Sequence, residues 1–433
     1  MAFKPISISL SPNTEWDDIW LALKLIFCPW RWTRLRLRSS ARQEKGEAIL
    51  ELEDEFKKYL GIKYAFAFNS GRSALLAILK SLDLEAGAEV LLQAFTCNAA
   101  INPILWAGLR PVYIDCNEDD FNINIEDLKR KITLRQAQGK APKVLMVQHT
   151  FGLPANMDEI LDLAERYNLI LIEDCAHALG AEYGGKKVGT FSRAAFFSFG
   201  RDKVISSVYG GMAVTNDEDL AETLRQNQSG WGYSSHYWIF QQLLHPILLS
   251  FIILPIYNFL NLGKIFLVLS QWFNILSKAV HWKEKRGRKP DYFPKKMPNA
   301  LAVLALHQFK KLEKFNKHRE EISNFYYQEL KDTSFELPPR FPERKNVFLR
   351  FTIKHPQAHQ ILYNAWHKQN ILLGDWYTSP IAPYDTKLNM VKYKIGTCPK
   401  AEKLAKRTLN LPTHINISKK GVQKIIDFLK IWI

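Results

Sequence analysis

The chain is expected to fold as an α/β protein with a mostly parallel central sheet, a smaller C-terminal α/β lobe and an apolar helical insertion. Three observations predict this. Short apolar runs alternate with helical patterns from residue 46 to about 230, which calls for a parallel sheet covered by helices on both faces. The chain has 433 residues, too many for one ordinary core. Its hydrophobic content of 47% suits a packed protein and argues against general disorder.

Residues 1–45 read as an N-terminal arm. Asp17 to Trp32 is short, apolar and rich in Trp, and Arg31, Arg34, Arg36, Arg38 and Arg42 follow. Aromatic residues before a basic run suit a helix lying in a membrane interface. An arm packed on a partner subunit fits equally well, and both readings stay open.

Residues 46–230 form the large α/β domain. Glu47 to Leu60 is a helix ending at Gly61, and Tyr64 to Phe68 a strand. Asn69-Ser-Gly-Arg-Ser73 is a turn that opens a helix through Leu82. Val90–Leu92, Val112–Ile114, Val144–Gln148 and Leu169–Glu173 are strands, and Asn98–Gly108 and Met157–Tyr167 are helices. Lys131 to Pro142 is polar and aperiodic, and reads as a surface loop.

Residues 231–292 break the pattern. From His236 to Gly263 the only residues able to carry charge are His. A second apolar run spans Ile265 to Val280, and a basic stretch follows at 283–289. A membrane span needs about 20 apolar residues, and Pro246 and Pro255 interrupt the first run. The chain returns to a soluble pattern, so it crosses a bilayer an even number of times or not at all. A hairpin turning near Asn261-Leu-Gly263 and resting in a membrane surface is the favoured reading; a hairpin buried in a subunit interface is the other. Residues 293–433 supply a long helix, Asn299 to Tyr327, and a small lobe with a strand at Val347–Ile353. Three helices complete that lobe, at Ala358–Lys368, Pro399–Thr408 and Lys420–Ile431.

The formal charge is +16 and the pI near 9.4, which suits an anionic partner. Zinc-finger, RNA-recognition and helix-turn-helix signatures are absent, so nucleic acid is not expected. The five cysteines, at 28, 97, 116, 175 and 398, form no CxxC pair, and no metal site is expected. Reduced thiols and an N-terminus without a signal peptide point to the cytoplasm.

The chemistry rests on a carboxylate and an amine. Asp174 follows the strand run Leu169-Ile-Leu-Ile-Glu, and the carboxyl end of a strand is where such sheets place ligands. A buried carboxylate needs a cation. Lys203 lies beyond Phe197-Ser-Phe-Gly-Arg-Asp, on a loop before Gly210-Gly-Met-Ala-Val, where apolar surroundings can make an amine nucleophilic. This pair is what pyridoxal phosphate chemistry needs: a lysine to condense with the aldehyde and a carboxylate to keep the ring nitrogen protonated. Gly71 and Arg72 open a helix whose free N–H groups suit a phosphate, and Ser198 could add a hydroxyl. Taken singly, each has a plain structural reading: a cap, a strand residue, a buried His at 177.

Together the segments resemble the DegT/StrS family of pyridoxal phosphate-dependent sugar aminotransferases, a fold-type I group, over residues 46–225 and 297–433. The best parts are Asn-Ser-Gly-Arg-Ser-Ala-Leu (69–75), Gln-Ala-Phe-Thr-Cys-Asn-Ala (93–99), His-Thr-Phe-Gly-Leu-Pro-Ala-Asn-Met-Asp (149–158), Ile-Glu-Asp-Cys-Ala-His-Ala-Leu-Gly-Ala (172–181), Phe-Ser-Phe-Gly-Arg-Asp-Lys (197–203) and Gly-Gly-Met-Ala-Val-Thr-Asn-Asp (210–217). The resemblance implies that Lys203 binds the cofactor and shuttles the proton, and that Asp174 pairs with the pyridine nitrogen. It places His177 near the phenolic oxygen, and Ser198 with the backbone of Gly71 and Arg72 at the phosphate. It implies a homodimer that moves an amino group from glutamate to a keto group on a nucleotide-linked sugar, for polysaccharide or glycan assembly; the membrane-leaning insertion adds a lipid-linked sugar as the alternative acceptor. The chain also departs from the family. An aromatic ring usually stacks on the cofactor where this chain has Cys97, unless Phe95 serves. The Asn usually lent by a partner falls near Pro294, and the apolar insertion is atypical. Another reaction on the same cofactor, such as dehydration, and a non-catalytic member are the alternatives.

Overall fold

The computed structural model describes residues 4–32 and 46–432. Arg34, Arg36, Arg38 and Arg42 of the basic run lie outside the described residues. Seven strands form the central sheet in the order Tyr64–Phe68, Gly211–Thr215, Ala194–Ser198, Ile170–Asp174, Val144–Gln148, Glu89–Gln93, Arg110–Ile114. Every strand runs in the same direction except Gly211–Thr215, which is antiparallel to both neighbours. The five strands from Glu89 to Ser198 are thus joined by right-sized helical crossovers or loops that bring their carboxyl ends to one edge. Their side chains are buried on both faces, as continuous apolar runs require.

Most sequence expectations hold to within a residue or two. Two differ. The stretch Lys131–Pro142 is helical over its first half: the helix Ile125–Ala137 is capped by Asn124 and buries Ile125, Leu128, Lys131 and Ile132. Lys131 belongs to that inner face because its Nζ donates to the Tyr113 carbonyl and pairs with Asp127, so a charged residue disguised a buried stripe. The long helix at Asn299 is two helices, Asn299–Phe309 and Leu312–Leu330, broken at Lys310–Lys311.

The N-terminal arm packs on its own chain. Its strand Ile6–Ser7 pairs with Ile371–Leu372 of the small lobe. Its helix Trp16–Ile26 buries Ile19, Ala22 and Leu25, and Asp18 is bonded by Gln308. The insertion forms a hairpin: a helix His236–Leu248 runs into a turn of π-helix at Leu249–Ile253, and a second helix spans Leu262–Trp272. Gly263 closes it, since a Cβ there would lie 2.3 Å from the Ile253 carbonyl oxygen. Among the described residues no helix is long and apolar enough to cross a membrane. The small lobe centres on the antiparallel pair Phe351–Lys354 and Thr408–Leu411, packed under Ala358–Gln369 and Lys419–Leu429. Its first strand starts at Phe351 and not Val347, because Phe348 takes a left-handed φ of 47°.

Candidate active site

A cavity of about 460 Å³ opens at the carboxyl ends of the parallel strands. Of the residues singled out from the sequence, Gly71, Arg72, Cys97 and Asp174 line it, as do His177, Ser198 and Lys203. Phe95 does not. It has a left-handed φ of 63° and its ring stacks on Phe121 at 5.6 Å, edge-on to Phe151 and Tyr377. The strand alternation is broken there, and Cys97 faces the cavity in its place.

Local structure sets each group. Asp174 ends the strand Ile170–Asp174 and is buried. Its Oδ1 accepts from the Ala176 N–H at 3.0 Å. Burial raises its pKa, against that hydrogen bond and the Lys203 charge, so the site favours a cation beside it. The preceding Glu173 points the other way and is saturated: it accepts from Gly189 and Phe191 N–H and from Ser192.

Lys203 lies on the loop between Ala194–Ser198 and Gly211–Thr215. Its backbone is pinned, with Asn13 Nδ2 donating to the Lys203 carbonyl at 2.6 Å and Arg319 Nη2 to that of Val204 at 2.7 Å. Its Nζ lies 4.9 Å from the Trp376 ring centroid. Burial pushes the amine down to about 8, opposed by Cys97 and Asp174.

His177 is held between aromatic rings, parallel to Trp376 at 5.3 Å and to Phe151 at 6.0 Å. Its Nδ1 accepts from the Phe151 N–H, which leaves the proton on Nε2, facing the Tyr377 hydroxyl. Burial, and then the Lys203 and Arg350 charges, hold its pKa well below the usual range, so the ring is neutral.

At the far end the helix Gly71–Ser81 begins, with Ser70 Oγ accepting from Ser73 N–H. The first-turn N–H groups of Gly71 and Arg72 lack intrahelical acceptors. A Cβ on Gly71 would meet the Ser198 side chain at 2.9 Å, so glycine lets the helix start and the Ser198 hydroxyl converge. The Arg72 side chain turns away from this cradle. Its Nε pairs with Glu284 at 2.8 Å and its Nη2 donates to the Ala279 carbonyl.

These groups fit pyridoxal phosphate: a helix start and a hydroxyl for the phosphate, an under-partnered carboxylate for the ring nitrogen, and a buried amine between them. Four further features had no legible signal in the sequence. Gln148, Trp376 and Tyr377 line the cavity but carry no motif. The end of the insertion forms part of the wall, through Ala279, Val280 and Lys285. It is fastened there by Arg201 donating to Ser277 and Tyr209 donating to the Lys278 carbonyl.

Fold and site together define a pyridoxal phosphate-dependent aminotransferase of fold type I. The DegT/DnrJ/EryC1/StrS aminotransferase family model matches residues 34–238 and 278–430, and the chain belongs to this family. The unmatched 239–277 is the apolar hairpin. The chain is 38% identical over 194 residues to GDP-perosamine synthase of Caulobacter vibrioides, covering 45% of this chain and 51% of that one. It is 27% identical over 383 residues to UDP-N-acetyl-3-dehydro-alpha-D-glucosamine 3-aminotransferase of Acidithiobacillus ferrooxidans, covering 88% and 87%. In fold it resembles an aminotransferase from Psychrobacter cryohalolentis (TM-score 0.73, 20% identity, 97% of each chain). It also resembles PseC of Helicobacter pylori, an aminotransferase of pseudoaminic acid biosynthesis (TM-score 0.70, 22% identity, 99% of each chain).

Proposed function

We propose that this enzyme moves an amino group from glutamate to a keto group of a nucleotide-linked sugar, for glycan or polysaccharide assembly. The observation that carries the reading is the placement of Lys203 and Asp174 in one cavity with the Gly71–Ser198 cradle. Residues 46–230 are the cofactor domain, 231–292 the insertion, and 293–433 the connecting helices and small lobe. Bound pyridoxal phosphate supplies the electron sink. Lys203 would tether it and, as a free amine of lowered pKa, would take the proton from the donor α-carbon in the first half-reaction and deliver one to the sugar carbon in the second. Asp174 holds a proton on the ring nitrogen. Neutral His177 offers its Nε2 proton to an oxygen and packs the ring side of the site, while Ser198 and the N–H groups of Gly71 and Arg72 hold the phosphate. Cys97 lines the cavity where the resemblance implies an aromatic ring. The relatives named for GDP- and UDP-linked substrates and the net charge of +16 support an anionic diphosphate acceptor. The test is amino transfer from isotopically labelled glutamate to nucleotide-linked keto-sugars. Label in the sugar amine supports the reading, and loss of water from the sugar without label would sink it in favour of dehydration.

The enzyme is further inferred to be a homodimer, as the family resemblance implies. Light scattering in solution should give about twice the 50.1 kDa chain mass; a monomer mass would refute it.

The hairpin and the N-terminal helix form one apolar face, joined where Trp16 meets Phe251 at 5.5 Å. Leu260 is 76% and Trp272 75% exposed, with Val268, Phe273 and Trp20 also open. No Asp or Glu occurs from residue 223 to 283, while Lys264, Lys278 and Lys283 do. An exposed apolar face of purely cationic rim fits an anionic membrane surface, on which the enzyme would rest at the cytoplasmic face and meet nucleotide-linked or lipid-linked acceptors. Removing the hairpin would damage the cavity wall, so point changes are the cleaner test. Leu260→Ser, Trp272→Ser and Phe273→Ser combined should abolish sedimentation with vesicles containing anionic lipid and leave cofactor binding intact. Equal sedimentation of variant and wild type would refute it.

A further inference from the structure

The exposed part of the cavity lining comes from two segments. Asp375, Tyr384 and Asp385 belong to the small lobe, and Lys285 to the segment that closes the insertion. Tyr384 is 78% exposed, Asp375 is exposed, and the Lys285 ammonium pairs with Asp385 where both side chains are part-exposed. These residues mark the mouth, since Asp174, His177 and Gly71 are buried. The segment carrying Lys285 is unusually basic and unusually well held. Residues 283–289 read Lys-Glu-Lys-Arg-Gly-Arg-Lys, a run that would suit a solvated loop. Yet its one acid, Glu284, is fully buried and pairs with Arg72 at 2.8 Å. The Glu284 carbonyl accepts from the Asn98 and Asn102 amides at 3.3 and 3.0 Å. The Lys285 carbonyl accepts from the Lys387 N–H at 2.8 Å, and that of Gly287 from Trp106 Nε1 at 3.1 Å. With Glu284 turned inward, the cations around it stay uncancelled within the run. Arg286, over the Trp282 ring at 5.5 Å, has no carboxylate within ion-pair range among the described residues.

We propose that Lys285 receives the diphosphate of the acceptor substrate. The proposal rests on the aminotransferase reading above and adds the place of the acceptor's anionic carrier. The keto carbon must reach Lys203 and the cofactor, so the sugar lies inside the cavity. The diphosphate is attached at the anomeric carbon, across the sugar ring. A cavity of about 460 Å³ must hold the cofactor as well, which puts the diphosphate at the mouth. There Asp375 and Asp385 repel it, and Lys285 is the cation. A part-exposed ion pair is weak, so the ammonium exchanges the single charge of Asp385 for the higher charge of a diphosphate. Its backbone is already fixed by the anchors of Glu284 and Lys285, which lowers the cost of ordering it on binding. Two carriers share this chemistry. A nucleoside finds a stacking face in the exposed Trp282 indole, and a lipid chain finds the exposed Trp272 and Phe273 of the same segment.

The experiment uses the enzyme loaded with pyridoxal phosphate, as wild type, Lys285→Gln and Lys285→Arg. Inorganic diphosphate, UDP and farnesyl diphosphate are titrated into each by calorimetry, and L-glutamate is followed separately by bleaching of the cofactor band. Lys285→Gln should weaken every diphosphate that the wild type binds by about tenfold, the scale of one contact to a charged group, and Lys285→Arg should recover most of the loss. Bleaching by L-glutamate, which carries no diphosphate, should keep the wild-type rate in both variants. UDP binding tighter than inorganic diphosphate upholds the proposal with a nucleoside carrier, and farnesyl diphosphate binding tighter upholds it with a lipid carrier. Unchanged diphosphate affinity in Lys285→Gln would overturn the proposal, as would a wild type that binds none of the three probes. An equal loss of diphosphate binding and of bleaching would overturn it too, as the mark of a residue that only holds the wall. Lys285-dependent diphosphate binding by an enzyme that L-glutamate does not bleach would instead refute the glutamate donor and leave the diphosphate site standing.

Discussion

Lys203→Ala should lower amino transfer by at least ~10³-fold, the scale set by loss of a positioned acid–base group that is also the covalent tether. The purified variant should lack the yellow band of bound cofactor and should not respond to glutamate. The fold should persist, because the loop is held through backbone carbonyls by Asn13 and Arg319 and not by the Lys203 side chain. A pH profile adds a second check. Burial lowers the amine to about 8, and below that pH it is mainly ammonium with no lone pair to attack a carbonyl. Uptake of pyridoxal phosphate by cofactor-free enzyme should therefore quicken as pH rises toward about 8 and level off above it. A profile still climbing through pH 10 would mean an amine that burial has not shifted. A Lys203→Ala protein with wild-type turnover would remove Lys203 from the chemistry altogether.

Asp174→Asn should cost the second largest loss. The amide can still accept from the Ala176 N–H, so local structure is retained while the charge is removed. The cation that the buried carboxylate stabilises is then unpaired, at a cost of about 3 kcal/mol or more, or roughly 10²-fold in rate. The loss should fall on kcat of both half-reactions, and uptake of cofactor should weaken. Stopped-flow bleaching by glutamate measures the first half-reaction directly. A variant that bleaches at the wild-type rate would show that Asp174 does not tune the ring.

The two predictions draw on groups that differ in how readable they were. Asp174 announced itself through an apolar strand run ending in acid, and burial of the strand made the carboxylate conspicuous. Gly71 followed from a turn-and-cap pattern before a helix. Lys203 was one lysine among many until its Phe-rich strand and the Gly-Gly that follows marked a loop between two strands. Local pattern sufficed in these cases because strand ends and helix starts are local events. Phe95 was the opposite case. Period-two alternation offered Phe95 and Cys97 to the same face, and only the left-handed turn at Phe95 sent the aromatic ring inward and left the thiol at the cavity. Lys131 misled for a related reason, since a charged residue on a buried stripe carries no apolar signal.

The membrane reading of the hairpin changes in form once the fold is known. The sequence suggests an appended element. In the fold, the outer side of the hairpin is exposed Leu, Val, Trp and Phe, while the irregular segment that leaves it walls the cavity through Ala279, Val280 and Lys285 and is bonded by Arg72, Arg201 and Tyr209. The N-terminal arm behaves likewise, with Asn13 on the Lys203 loop and Trp16 on the apolar face. Both elements that a bilayer would touch also touch the loops that hold the site.

Taken alone, the amino-acid order determined the α/β class and the sheet strands, and it singled out Asp174, Ser198, Lys203 and the Gly71 helix start, which line one cavity. These follow from hydrophobic period, capping and the need of a buried charge for a partner, all of which act over a few residues. Tertiary structure alone decided that Trp376 and Tyr377 line this cavity and that the end of the insertion forms part of its wall. Those groups come from loops and lobe edges without periodicity, well over a hundred residues from Asp174 for Trp376 and Tyr377, and are brought to the cavity by the packing of the small lobe and hairpin on the sheet.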